Sequence, residues 1–274
     1  MFRLRLLAAI ASLFLAAGAP AQEATQQKAQ ALMAAMLQRE LEGDTLQQRI
    51  AVLYGGRLDA DKSQVVEDVL RRTYANPHLA EYLGRLTLAL YRQGASNERM
   101  RATVPEAMQL LKVRGIARLP AEDQASFLRY MLRMAGQLPA ETCAAMFLGK
   151  LPEKAVDQLE SDFAVGVDLQ SFKEIMDVYG RATLAELDGD PPMRSVSLLQ
   201  ASQARDALVR ALAARLRETM SPQAVQRIAR DIKSAPEGDV CTYMRNVAQA
   251  VLDLPEPERG WQLVAFTEAM RGQR

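Results

Sequence analysis

Few residues of this chain have both the type and the spacing that catalysis requires. His78 is the only histidine, so a Ser-His-Asp or Cys-His site would have to use it. It follows Asn76-Pro77, which predicts a place in the first turn of a helix, where the helix dipole disfavours a protonated imidazole. The sequence contains no G-x-S-x-G, H-E-x-x-H or glycine-rich phosphate-binding motif. We therefore predict a surface or capping role for His78, and neither a catalytic nor a cofactor-binding residue.

Two acidic clusters have the side chains that hard cations prefer. Asp59–Ser63 matches the first three ligand positions of an EF-hand loop. The match ends there, because Gln64 stands where that loop needs glycine and Leu70 where it needs a bidentate glutamate. Glu186–Asp190 is the second cluster, next to a Pro-Pro break. We interpret the first as a capped helix start and the second as a solvated helix end, and predict no metal site.

The two cysteines, Cys143 and Cys241, are predicted to form a disulfide. The prediction depends on export, because lone cysteine pairs in an oxidising compartment usually bridge. The alternative is two buried, unreactive thiols. No C-x-x-C motif is present, which argues against a thioredoxin-like redox role.

The N-terminus has the features of a cleavable secretory signal peptide over residues 1–21. Arg3 and Arg5 form a basic region, Leu6–Ala17 is apolar except for one serine, and Ala19–Ala21 supplies small residues for cleavage after Ala21. The alternative is a short membrane anchor, but a spanning helix needs about 20 apolar residues. We therefore expect export, and a periplasmic location for the mature chain.

The composition excludes several classes of protein. With 34 basic and 33 acidic residues, the chain lacks the basic excess of a nucleic-acid-binding protein. Its 49% hydrophobic residues argue against disorder, and no further segment predicts stable membrane insertion. Aromatic residues make up 5%, with Trp261 the only tryptophan, so the stacking surface of a carbohydrate groove is not indicated.

The fold is predicted to be all-α, a multi-helix bundle or irregular helical array, solenoid-like in one version, of about ten to twelve helices. Alanine and leucine far outnumber the β-branched residues. Apolar residues recur at helical spacing, as in Leu79–Leu90, Leu169–Tyr179 and Val240–Val251. Prolines that follow Leu or Ser mark helix starts, Ser171 with Glu174 fits a capping box, and Gly and Pro clusters mark the breaks.

The segment 189–197 is the predicted linker between two helical regions. It separates an N-terminal region, 22–188, from a C-terminal region, 198–274. The predicted disulfide joins the two regions, so we expect the second to pack on the first.

Two residue types could serve binding. Arginines recur at Arg205–Arg217 and basic residues again at Arg227–Lys233, which indicates a solvated helix face or, alternatively, a docking surface for an acidic protein. Methionines lie on the apolar stripes and indicate either core filling or an adaptable groove; they are Met33, Met36, Met131, Met134, Met146, Met176 and Met244.

The function expected from these exclusions is non-enzymatic protein binding in the periplasm. The most concrete version is an inhibitor or immunity protein against a secreted antibacterial effector, with an envelope chaperone as a close variant. The alternatives are a peptidoglycan-acting hydrolase of unrecognised type and a scaffold subunit of an envelope machine. A protein partner is expected in every version except the hydrolase.

Overall fold

A computed structural model describes residues 19–42 and 44–272 of the chain. These ranges contain thirteen α-helices and no β-strand. The all-α prediction is therefore confirmed, while the number of helices exceeds the expected ten to twelve. The predicted signal peptide lies outside the described residues over positions 1–18, and the first described helix begins at Ala19.

Contacts divide the chain into two compact units that alternate along the sequence. Within the described residues, unit 1 comprises 19–42, 44–115 and 180–190, and unit 2 comprises 116–179 and 191–272. One of the three crossings, between Asp190 and Pro191, falls inside the segment predicted as a linker, and the other two fall at the end of one helix and inside another. The disulfide lies wholly within unit 2. The division at 189–197 stays a prediction about folding domains.

The described helices of unit 1 come first in the chain. They are α1 (Ala19–Glu40), α2 (Thr45–Tyr54), α3 (Ala60–Tyr74), α4 (Pro77–Arg92) and α5 (Asn97–Ile116), which ends in unit 2. The helices α6 (Ala121–Gln137), α7 (Ala140–Phe147) and α8 (Glu153–Gly166) belong to unit 2, and α9 (Leu169–Asp188) begins in unit 2 and ends in unit 1. Unit 2 continues with α10 (Leu198–Thr219), α11 (Pro222–Arg230), α12 (Glu237–Asp253) and α13 (Glu258–Gly272).

Prolines set the starts of several helices, as the sequence predicts. Helices α6, α7 and α8 each begin directly after a proline, at Pro120, Pro139 and Pro152. Because proline disfavours the helical conformation in the residue before it, Leu138-Pro139 separates the eight-residue α7 from α6. Ser221-Pro222 also behaves as predicted, since the Ser221 hydroxyl accepts the Ala224 amide at 3.2 Å.

One predicted cap is wrong. The start of α9 is capped by Asp168, whose carboxylate accepts the Ser171 amide at 2.9 Å and the Ser171 hydroxyl at 2.7 Å. Ser171 therefore lies inside the first turn and donates its hydroxyl, rather than serving as the cap. Asp168 has the better geometry because its carboxylate reaches two donors at once.

The core of unit 1 lies where α1 packs on α4. Met33 and Leu37 of α1 are buried in one cluster with Leu79 and Leu83 of α4. Gly84 allows the close approach, because a Cβ atom there would stand 3.1 Å from the Gln30 backbone of α1. A larger residue would push the two helices apart and open this core.

The core of unit 2 is built around α12, which packs against α6, α7, α10, α11 and α13. Its buried side chains lie on several sides of the helix and include Val240, Asn246, Ala248 and Ala250. Helices buried on more than one side are typical of the centre of a bundle. Helix α12 is therefore the central element against which α10 and the other helices of unit 2 pack.

None of the helices in the described ranges combines the length and the hydropathy needed to cross a membrane.

Candidate protein-binding surface

Helix α10 begins at a well-defined cap, which fixes the position of its first turn. The Ser197 hydroxyl accepts the Gln200 amide at 3.2 Å, and the Gln200 side chain accepts the Ser197 amide at 2.8 Å. This reciprocal pair satisfies two amides that the helix itself leaves free. Farther along, Ala204 and Leu216 are buried and Leu208 packs against the α6–α12–α13 cluster. The helix is thus anchored by its cap and by one face.

The outer side of α10 exposes large apolar side chains. Leu198 is 93% exposed, Leu199 68% and Val209 59%. Only five large hydrophobic residues of the described ranges are strongly exposed, and three of them are on this one helix. Leu198 and Val209 are separated by three helical turns, so they lie on the same face. We call Leu198, Leu199 and Val209 the α10 apolar face.

Charged residues flank the α10 apolar face. Arg205 lies between Leu198 and Val209 along the same face, and Arg210 follows directly after Val209. Both arginines are exposed, and so is Asp206. Exposed apolar side chains with one cation between them and another beside them suit a partner surface on which apolar side chains and carboxylates are neighbours.

The structure separates the basic residues that the sequence analysis grouped together. Arg205, Arg210 and Arg217 are exposed, whereas Arg215 is half-buried and pairs with Asp253 at 2.8 Å. Arg227 forms two hydrogen bonds to one Asp239 carboxylate oxygen, at 2.7 and 3.0 Å. The grouped arginines therefore include structural ion pairs as well as exposed charges.

The methionines of the apolar stripes belong to the interior. Met33, Met134 and Met176 are buried. The others are partly buried, three of them against core clusters: Met36, Met131, Met146 and Met244. Their burial agrees with the core-filling interpretation, and these seven methionines do not form an exposed groove.

The two cysteines come together in unit 2. Cys143 of α7 and Cys241 of α12 form a disulfide with their Cα atoms 5.5 Å apart, and both are buried beside Ala135. The bridge thus covalently joins the central helix of this unit to a short neighbour.

His78 and the second acidic cluster meet at the start of α4. Asn76 accepts the His78 amide at 2.8 Å and donates its own side-chain N–H to Asp188 at 2.9 Å. His78 Nδ1 lies 2.8 Å from the same Asp188 oxygen. His78 is about half exposed, at 53% of its side chain, and makes no further hydrogen bond within the described ranges. This arrangement ties the end of α9 to the start of α4 inside unit 1.

This cluster gives a prediction for the pH dependence of stability. The hydrogen bonds from Asn76 and then His78 lower the pKa of Asp188. A carboxyl with a lowered pKa in the folded state stabilises the fold above its unfolded value, about 3.9, and loses that contribution as the pH falls through the folded pKa. We expect Asp188→Asn to lose less stability than the wild type between pH 5 and pH 2, as measured by urea unfolding. Asp190→Asn is the control, because Asp190 is exposed and makes no hydrogen bond within the described residues; equal pH profiles for both variants would contradict the assignment.

The first acidic cluster caps α3. The Asp59 carboxylate accepts the Lys62 amide at 2.8 Å, which is the geometry of an N-terminal cap. Across residues 19–42 and 44–272, no group of three His, Cys, Asp or Glu side chains is placed to hold a metal ion.

The residues of the α10 apolar face were not singled out from sequence. Leu198 and Leu199 follow the predicted linker directly, and adjacent leucines after a Pro-rich break were the only local signal. Comparison with known proteins adds no further identification: no family model, no curated protein and no solved structure matches the chain.

Proposed function

We propose that this chain is an exported, non-enzymatic protein that binds another protein through the α10 apolar face. The observation that carries the proposal is the exposure of Leu198, Leu199 and Val209 on one anchored helix. Clustered exposed apolar side chains bordered by polar ones are typical of protein interaction sites. The signal-peptide features of residues 1–21 support action in the periplasm.

The partner in this proposal is a folded protein with an exposed apolar patch that has carboxylates within it and beside it. Leu198 and Val209 would bury against the patch, while Arg205 and Arg210 would meet the carboxylates. An inhibitor or immunity protein acts by such docking, since covering an effector's site needs no chemistry of its own. A chaperone would use the same face but would accept many clients weakly.

The test places a carboxylate at each end of the proposed contact. In Leu198→Glu/Val209→Glu both new carboxylates are exposed and compatible with the helix, since Leu198 is the first helical residue, where a carboxylate favours the dipole. Glu also has a higher helix propensity than Val. We therefore expect the variant to fold with unchanged stability. Burial of an unpaired charge in the complex should weaken partner binding about 100-fold, or about 3 kcal/mol.

The measurement starts from affinity capture from envelope and secreted fractions, with the chain from Gln22 as bait, and continues with calorimetric titration of the purified partner. Val52→Glu is the matched control, because Val52 is an equally exposed apolar residue, at 81%, on α2 of unit 1. We expect this control to change the affinity less than threefold. A partner that binds the α10 double variant as tightly as the wild type would overturn the assignment of the face. The absence of any stoichiometric partner would overturn the proposed function itself.

A further inference from the structure

Unit 2 contains an open cavity of about 460 Å³, separate from the α10 apolar face. Its walls come from α6, α10 and α12, and each of these helices contributes one arginine: Arg133, Arg215 and Arg245. The remaining lining side chains are neutral. The volume falls within the range of about 300–1,000 Å³ that is usual for small-molecule sites.

The three guanidinium groups are only partly neutralised by the protein. Arg215 pairs with Asp253 through Nη1 at 2.8 Å, while its Nε is buried and has no hydrogen-bond partner. Arg133 donates Nη1 to the neutral Ser171 hydroxyl at 2.8 Å. That hydroxyl in turn donates to Asp168, whose carboxylate interacts electrostatically with Arg133. Arg245 forms neither an ion pair nor a hydrogen bond within residues 19–42 and 44–272. Asp253 directly and Asp168 through Ser171 therefore offset part of the charge of three cations, which leaves a formal charge of +1.

Polar side chains next to the arginines fix the position of the Asp253 carboxylate and connect the helices that line the cavity. Gln249 donates to the second Asp253 oxygen at 2.8 Å, so Asp253 is held by both Arg215 and Gln249. Asn246 is buried and donates to the Thr219 hydroxyl and to the Thr242 carbonyl, each at 2.9 Å. This network joins α10 to α12 beneath the arginines, and Gly136 leaves room next to Arg245, whose Nη2 would lie 3.5 Å from a Cβ atom there.

We propose that this cavity binds a small molecule bearing a phosphate monoester. Such a group carries about −1.5 to −2 charges at pH 7 and three acceptor oxygens, which suits a cationic site where three arginines approach from three helices. Guanidinium groups bind phosphate oxygens through paired hydrogen bonds. The cavity exceeds the size of the phosphate itself, so the organic part of the ligand occupies the space next to Leu132.

The proposal is tested by titrating phenyl phosphate into the full mature chain in a calorimeter at low salt. We expect saturable binding with a one-to-one stoichiometry that weakens as salt is added. Arg245→Gln should weaken binding at least tenfold, because it removes a charge that no other group of the described protein uses. Arg230→Gln is the matched control, since Arg230 is an exposed arginine of the same unit outside the cavity, and should change the affinity less than twofold. Absence of binding at millimolar phenyl phosphate, or equal loss in the two variants, would overturn the site.

Two further titrations define the ligand class. Phenylacetate carries a single charge and two oxygens, so we expect it to bind at least tenfold more weakly than phenyl phosphate; equal binding would overturn the choice of phosphate. Inorganic phosphate should also bind more weakly, and equal affinity would overturn the assignment of a phosphate monoester, because the organic part would then gain nothing from the cavity. The site does not depend on the proposed protein-binding function, so Leu198→Glu/Val209→Glu should bind phenyl phosphate as the wild type does.

Discussion

Replacing both cysteines by alanine is expected to lower the free energy of unfolding by about 4–5 kcal/mol. The bridge between Cys143 and Cys241 closes a loop with a sequence separation of 98 residues. In the chain-entropy model a cross-link over that length lowers the conformational entropy of the unfolded chain, which raises its free energy by about 4–5 kcal/mol. Alanine is the better replacement than serine, because Cys143 is fully buried and a hydroxyl there would need a hydrogen-bond partner.

The effect should be measured by urea unfolding of the oxidised wild type and of Cys143→Ala/Cys241→Ala. The control is reductant: it should destabilise the wild type and leave the double variant unchanged. Hydrogen exchange then locates the loss, which we expect at the amides of α7 and α12 and not at α1 and α4 of unit 1. Two titratable thiols in the denatured wild type without reductant, or a double variant within 1 kcal/mol of the wild type, would contradict the prediction.

Local signals in the sequence predicted most of the helical framework. The starts after Pro120, Pro139, Pro152 and Ser221 could be read directly, because proline and the capping hydroxyl act on the residues next to them. The wrong prediction of Ser171 as the cap of α9 shows that such local signals do not identify the capping residue itself. Asp168, Ser171 and Glu174 all offer capping side chains within seven residues, and only three-dimensional geometry decides between them.

Contacts between distant segments could not be predicted in the same way. Arg133 and Arg245 lie on different helices far apart in sequence, and neither belongs to a basic stretch that would single it out. Likewise, the exposure of Leu198 and Val209 depends on which side of α10 the rest of unit 2 covers. The pattern of apolar residues predicts that a helix has an apolar side, but not that part of this side stays uncovered. The cysteine pair was accessible to sequence reasoning because two cysteines allow only one intramolecular bridge.

Gly115 makes such a distant contact, and its replacement by alanine is expected to lower the stability strongly. It lies near the end of α5, and within unit 1 it faces the last part of α9. A Cβ atom at this position would overlap the carbonyl group of Ala182 and come within 3.0 Å of its Cα. Because the obstacle is backbone, no change of rotamer can relieve it. We expect Gly115→Ala to lower the free energy of unfolding by about 3 kcal/mol or more, which is at the upper end of the cost of overpacking.

A graded series of glycine variants separates this contact from the general effect of replacing glycine in a helix. Gly166→Ala, at the end of α8, places its Cβ in open space and should gain up to about 1 kcal/mol from helix propensity. Gly180→Ala meets the Val69 Cγ1 atom at 3.1 Å, and because a side chain can move aside, we expect a loss between those of the other two. Urea unfolding should therefore rank the stabilities as Gly166→Ala, Gly180→Ala and Gly115→Ala. If Gly115→Ala unfolds at the same urea concentration as Gly166→Ala, then α5 and α9 do not approach each other closely at this position. If Gly115→Ala does not fold at all, the intermediate loss of stability in Gly180→Ala still tests the packing of α9 inside unit 1.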